Sequence, residues 1–473
     1  MAENYVGSVA VPLEKKAKNA VTIGCMLLML FVASSGAALA VLQGPILKSI
    51  SEEAYVKYFG LLGIMATLGL SIMTPIGGKL GDLFGRKKVV IVAGIIAIVS
   101  CIGMAAIRVA FPFMFCRFLL GAAQGAFTAT PYIIAREINE PREVPKAMGL
   151  LASTVAVGGL VGSIISAIFS DMGLLAIAIG YPVIFLIIGI RLIAKNYPNK
   201  KKEGKVTLDY VGMVLLALAL AALSFALNYA PSLGWLNPVV LALFVVTIVA
   251  IAVLIKYESH AAEALVPVNL FKNSKYTMLL LVGFVGYFYQ QAMNTYAPLA
   301  VQGVMGKSAT LSSSLQFPRM IFTMLLPALC GKWVGKEKGN SWKAMAVTTA
   351  LIAVSYIPLG FTSTTTPFML YMVMISITGI AESFRAVAVT PAAQATLPQE
   401  QMGIGTSFVT FVNSLAGLIA AAVNAALYNS SVAKGDTAAN IAAGINKVNL
   451  LAGGLGVVGF LVVVLIVRRQ QQE

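Results

Sequence analysis

One histidine, four cysteines and eighteen carboxylates are all that 473 residues offer to most kinds of site chemistry. The lone histidine, His260, stands in a polar stretch beside Glu258 and Glu263 and builds neither a metal site nor a triad. Cys25, Cys101, Cys116 and Cys330 all fall inside apolar runs without metal-ligand spacing, which marks them as packing residues. The interfacial clusters of His, Asp or Cys that a membrane-embedded enzyme carries are missing. No segment resembles a nucleotide-binding loop, which argues against direct ATP drive. Charged residues make up 11% of the chain, where soluble domains carry about a quarter. That shortage excludes a water-soluble globule.

What fills the chain instead is apolar sequence, 59% of all residues, with a mean hydropathy of +0.87. About 20 such residues cross a bilayer core, and runs of that length succeed one another almost end to end. Fourteen spans are predicted near residues 20–44, 57–77, 88–108, 111–135, 147–169, 173–194, 208–229, 236–256, 275–297, 309–332, 342–361, 367–392, 403–428 and 447–467. The first run comes after Lys15, Lys16 and Lys18 and reaches Ala38-Leu39-Ala40, the outline of a cleavable signal; it reads better as a retained first span.

The net charge of +16 suggests nucleic acid only until its distribution is considered. With the N-terminus placed in the cytoplasm, 25 Lys and Arg fall in or beside the loops on that side and 6 on the other. Such asymmetry is what the positive-inside rule demands of a polytopic membrane protein, and it puts both termini in the cytoplasm.

The turn between spans 2 and 3 reads Gly78-Lys79-Leu80-Gly81-Asp82-Leu83-Phe84-Gly85-Arg86-Lys87-Lys88. Its spacing resembles the loop signature between helices 2 and 3 of the major facilitator superfamily. Further landmarks come in order: Lys200-Lys201-Lys202-Glu203-Gly204-Lys205, Leu208-Asp209-Tyr210-Val211-Gly212, the Gly234-Trp235 turn, Tyr257-Glu258 and Pro267-Val268-Asn269-Leu270-Phe271. Together they resemble the two extra helices of the fourteen-helix drug:proton antiporter branch.

The resemblance implies an all-α membrane protein with two six-helix bundles, 1–199 and 266–473, joined by a basic linker and two inserted helices over 200–265. It also implies a substrate site near midplane between the bundles, which rock to alternate access. The expected setting is the cytoplasmic membrane, with a small-molecule substrate, protons and lipid as partners, no cofactor, and a monomeric state.

Several residues stand out against this background. Asp82 can pair with Arg86 or cap a neighbouring helix, as a latch favouring one bundle orientation; the alternative is a solvated topology signal. Arg117 lies within span 4, in Arg117-Phe118-Leu119-Leu120-Gly121-Ala122-Ala123-Gln124-Gly125, which resembles the family's helix-4 motif. A charge inside a span is a functional candidate by default, and Gln124, seven residues on, shares its face. Two departures weaken the antiporter signature. Gly158-Gly159-Leu160-Val161-Gly162-Ser163 lacks the proline typical of helix 5, and span 1 lacks the membrane Asp, leaving Gln43 as its principal amide.

Of the eighteen acids only Glu382 falls deep within a span, with Arg385 three residues on and on the same face. The pair reads either as a structural tie or as a protonatable carboxylate set by burial and its arginine. Arg319 comes directly after Pro318 within span 10. Three intramembrane cations against one acid leave an excess that an anionic substrate would complete, provided that all three share a cavity. Tyr287, Gln290, Gln291 and Asn294 recur at i, i+3, i+4 and i+7 on span 9, a polar-aromatic stripe suited to a cavity wall; Thr406, Thr410 and Asn413 form a lesser one. The branch resemblance implies a secondary transporter of drug-like or amphipathic compounds, while the cationic excess and the two departures raise a dedicated organic-anion carrier as the alternative.

Overall fold

The computed structural model describes residues 11–469 except 51, 108, 199–208, 261–268, 308, 338, 399–400 and 433–436. The basic linker and the Pro267-Val268 landmark therefore lie outside the described residues. So do the side chain of Gln43 and those of residues 51–64. The described residues are almost wholly helical and contain no strand.

The helical runs are α1 (Lys15–Ile50), α2 (Glu52–Phe84), α3 (Arg86–Ala106), α4 (Ala110–Ile138, broken at Ala129), α5 (Val144–Asp171), α6 (Leu175–Asn196), α7 (Tyr210–Leu233) and α8 (Pro238–Glu258). They continue with α9 (Ser274–Gln291, extended by π turns at Ala292–Tyr296 and Ala300–Val304), α10 (Gln316–Val334), α11 (Asn340–Leu359), α12 (Phe368–Ala395), α13 (Met402–Val432) and α14 (Ala438–Val467). Each predicted span falls on one of these runs. Eleven helices among the described residues are long and apolar enough to cross a membrane. The runs outside that number are α2, whose side chains are described only from residue 65 on, α9, interrupted by π turns, and α10, which carries Gln316, Arg319 and Lys332.

Local chemistry explains where the helices start and stop. Gly85, at φ 91°, makes the turn that ends α2 and admits Arg86 as the first residue of α3. The Asp209 carboxylate accepts from the Gly212 N–H at 2.7 Å and caps α7, and Gly234 at φ 96° ends it. Asn237 caps α8 immediately before Pro238, a residue suited to a first helical turn.

Without a hydrophobic drive between helices in lipid, close packing depends on small residues. A Cβ on Gly69, Gly121 or Gly125 would run into the backbone of the facing helix, which is why α2 and α4 pack so intimately. Gly158 and Gly162 let α5 approach Ser34 of α1, while Gly453 and Gly456 do the same for α14 against α11. The hairpin α7–α8 joins the molecule through α7, whose Leu216 and Leu220 pack with Leu68, Ile72 and Ile76 of α2; α7 also contacts α13. The outer face of α8 leaves Val239, Val245, Ile248 and Ile255 exposed, an apolar surface fit for lipid.

The first half (α1–α6) and the second (α9–α14) meet backbone to backbone at the end that carries the basic turns. Added Cβ atoms on Gly149 and Gly331 would strike the backbones of Pro327 and Pro145, and one on Gly335 would press on Arg142. On the other flank of this end, Gly78 lies against Ser407 and Gly403 against Asp82. The structure is therefore closed at the basic end.

Glycine substitutions should separate the two kinds of contact. Gly125→Leu, inside one half, is expected to abolish folding and the yield of monodisperse protein. Gly331→Leu, between the halves, should leave a folded protein opened at the basic end. Spin labels replacing Lys146 and Lys336, in a background lacking the native cysteines, would report a longer distance in that variant.

Candidate functional site

Two constellations emerge from these contacts, one at the basic end and one in the second half. At the basic end Arg86 Nη2 reaches Asp82 Oδ1 at 3.1 Å and Glu137 Oε1 at 3.3 Å. Glu137 also accepts a short hydrogen bond from the Tyr197 hydroxyl. The Asp82 carboxylate simultaneously occupies the space over Gly403 in the first turn of α13. A negative charge is favoured there by the outward-pointing N–H groups of a helix start. The sequence pairs Asp82 with Arg86; Glu137 and Tyr197, distant in sequence, give no such signal.

In the second half Glu382 and Arg385 form a bidentate pair, with Nη2 at 2.6 Å from Oε1 and Nε at 2.8 Å from Oε2. Two parallel N–H···O bonds make this the strongest geometry for a guanidinium and a carboxylate. The Tyr289 hydroxyl donates to Glu382 Oε2 at 3.2 Å, and its own backbone carbonyl accepts from the Tyr356 hydroxyl at 3.4 Å. The Arg385 guanidinium lies 4.9 Å from the centre of the Tyr287 ring, a cation–π contact. Gly286 leaves room for the arginine stem to cross α9. Arg319 Nε donates to Thr378 Oγ1 at 3.2 Å, and its charge acts on Glu382 and on both tyrosines. Breaking a buried pair by removing one partner costs about 3–5 kcal/mol, because the other charge is left uncompensated.

Arg117 is not part of this cluster. It is buried on α4 beside Cys101 of α3, with its Nε unpaired, and the cations acting on Glu382 are Arg385 and Arg319. The proviso that all three arginines come together is not met: two of them act on Glu382, a local excess of one positive charge. Gln124 serves the first half: its amide donates to Ser35 Oγ of α1 at 2.7 Å.

The stripe on α9 divides. Tyr287 belongs to the ion-pair cluster and Gln290 is half-buried. Gln291 donates to Thr295 Oγ1 at 3.1 Å, and Asn294 is exposed within the π turn. On α13, Thr406 accepts from the buried Gln394 amide at 3.1 Å, while Asn413 Oδ1 is buried without a hydrogen-bond partner near Gly283. Tyr289, Tyr356, Thr378 and Gln394 carry no signal in the sequence, because isolated polar residues in apolar spans show no period. His260 is exposed, and the four cysteines are free thiols. No group of acids, histidines and cysteines fit to hold a metal occurs among the described residues.

The sequence profile of the Major Facilitator Superfamily matches residues 24–421. The chain belongs to this superfamily. Among its relatives is an uncharacterized MFS-type transporter of Mycobacterium tuberculosis, 25% identical over 365 residues, which are 76% of this chain. The chain spans only 52% of that relative's length. The multidrug transporter protein MdtP of Bacillus subtilis is 24% identical over 405 residues, covering 81% of this chain and 72% of MdtP. The quinolone resistance protein NorB of Staphylococcus aureus is 24% identical over 443 residues, covering 89% and 91% of the two chains. These relatives agree with the drug-antiporter resemblance of the inserted hairpin. The proton:xylose symporter XylE superposes with a TM-score of 0.68 at 14% identity over 96% of either chain, a likeness of fold.

Within this superfamily member, the basic-end network carries a pH dependence. Asp82 lies beyond the apolar span, and burial pushes its carboxyl up to about 6; Arg86 pulls it down, and Glu137 pushes it up again. A carboxyl whose pKa is raised where the halves touch binds its proton more tightly in the closed arrangement than in an opened, hydrated one. Lowering pH from neutral through 6 therefore favours closure, and raising it weakens closure. Spin labels at Lys88 and Lys336 should report a larger closed fraction at about pH 5 than at about pH 7.5. The Asp82→Asn variant should lose that dependence.

Proposed function

We propose that the chain is a fourteen-span secondary transporter of the cytoplasmic membrane that moves a drug-like or amphipathic organic compound by alternating access, coupled to protons. In this reading residues 1–199 and 266–473 form the two rocking bundles, 200–265 supplies the inserted pair, both termini are cytoplasmic, and the protein works as a monomer. The basic end is then the cytoplasmic end, and the closed arrangement faces outward.

The observation that carries the reading is the bidentate Glu382–Arg385 pair, buried beneath Tyr287 and Tyr289 in a structure closed at one end. A carboxylate in such a place holds two states of similar energy only if its proton and its arginine exchange roles, which is what coupling requires. The multidrug relatives support an amphipathic substrate, and the tyrosines offer flat apolar contact beside polar atoms.

A second reading, an organic-anion carrier, is favoured by one specific feature: Arg319 and Arg385 together outnumber Glu382. An anionic group would neutralise the remaining charge.

Purified protein in liposomes loaded with a pH-sensitive dye, challenged with anionic and cationic amphiphiles under an imposed pH gradient, tests both. Substrate-triggered proton flux in the wild type and its loss in Glu382→Gln, at equal reconstitution, are the expected results. Substrate movement without proton flux would reject coupling. If the anion reading holds, Arg319→Ala should weaken anionic substrates about 10- to 100-fold, the worth of one hydrogen bond to a charged group, and leave neutral ones unchanged.

A further inference from the structure

Two helices of the first half are pinned together at two levels. Deep in the span, Gly158 and Gly162 let α5 meet the backbone of α1 at Leu30 and Ser34. At the basic end, Lys18 of α1 and Glu143, the residue before α5, form an ion pair at 2.9 Å. Between these levels the helices stand apart and leave a groove of about 330 Å³. Its walls are Ile23, Leu27 and Leu30 on one side and Leu150, Ser153 and Val157 on the other. From Ile23 to Leu30 a helix advances about 10 Å, a third of the bilayer core. Ile23 is half exposed. The halves are packed together at this end, so an opening at this depth leads to the bilayer and not to the space between them.

Charge stands at the mouth of the groove. Lys16 comes seven residues before Ile23, and Lys146 comes four before Leu150 and seven before Ser153, so each shares its helix face with a wall of the groove. Both helices begin at the basic end, and side chains lean toward a helix N-terminus, which carries both ammonium groups outward to the level of lipid headgroups. The two lysines are exposed, and neither makes an ion pair among the described residues. Of the nearby carboxylates, Glu143 is already held by Lys18, and Glu14 lies one turn from Lys18 on that residue's face. Ser153 Oγ has no hydrogen-bond partner. A turn about its Cα–Cβ bond offers the hydroxyl to the groove.

We propose that the groove holds one anionic phospholipid from the leaflet at the basic end. Its phosphate lies between Lys16 and Lys146, an ester carbonyl accepts from Ser153, and one acyl chain runs inward along Ile23, Leu27, Leu30 and Val157. The order of chemistry along the groove, cation then hydroxyl then aliphatic wall, is the order of a phospholipid from headgroup to tail. A free phosphate would leave the apolar wall empty, and a zwitterionic headgroup would bring its own cation against the two lysines. The inference goes beyond the transport reading and needs neither proton coupling nor an assigned substrate.

The test uses full-length protein in detergent, titrated with phosphatidylglycerol or phosphatidylcholine of the same chains and read by native mass spectrometry. The expected result is a single retained phosphatidylglycerol, held several-fold better than phosphatidylcholine. Lys16→Gln combined with Lys146→Gln, both at exposed positions, should lower phosphatidylglycerol retention to the phosphatidylcholine level. Lys16→Arg combined with Lys146→Arg should keep it. Ser153→Trp, which fills the groove and leaves both lysines in place, should lose the long-chain lipid. Equal retention of the two lipids by the wild type, or wild-type retention in the glutamine pair or in Ser153→Trp, overturns the proposal. Displacement of the bound lipid by inorganic phosphate also overturns it, because the lysines would then be a phosphate site that does not need a lipid. Lipid retention is measured without transport, so its failure is distinct from a failure of the coupled reading.

Discussion

The two halves touch through peptide backbone, and almost everything else about the molecule depends on that approach. Gly149 and Gly331 bring α5 and α10 together with no side chain between them, while Gly78 and Gly403 make room between α2 and α13 for the Ser407 hydroxyl and the Asp82 carboxylate. Contacts at this range are all or nothing. Dispersion falls away within an ångström or so of separation, so the interface has a closed arrangement and an open one with little between. An element of that kind converts a small energetic bias into a large change of shape.

The biases available are electrostatic, and both constellations place charge where it is expensive. At the basic end two carboxylates share Arg86, and one of them rests on the first turn of a helix from the other half. In the second half two guanidinium groups share Glu382. One site is short of a cation and the other short of an anion. Each is therefore sensitive to a ligand of the missing sign, a proton at the first and an anionic group at the second.

Much of the architecture was legible in the sequence, because a bilayer forces apolar runs to be long and helical. Each predicted span overlaps a helical run, and Gly85 makes the turn that its place between two apolar runs predicts. The pairings Asp82–Arg86 and Glu382–Arg385 were visible too, since partners three or four residues apart share a helix face. What remained hidden were partners joined only by packing. Glu137 and Tyr197 come from α4 and the end of α6, and Tyr289 approaches Glu382 from α9. Arg117 shows the reverse limit: a buried arginine is conspicuous in sequence, yet only helix packing decides that it lies beside Cys101 of α3 and not at Glu382.

The inserted hairpin has a mechanical consequence. α7 lies against α2 of one half and α13 of the other, within a cluster of apolar side chains. Such contacts have no preferred direction; they can shear by a side chain's width without breaking a hydrogen bond. A polar seam at the same place would act as a clasp and hold the halves in register. The apolar one resembles a gasket, covering the joint against lipid without fixing its register.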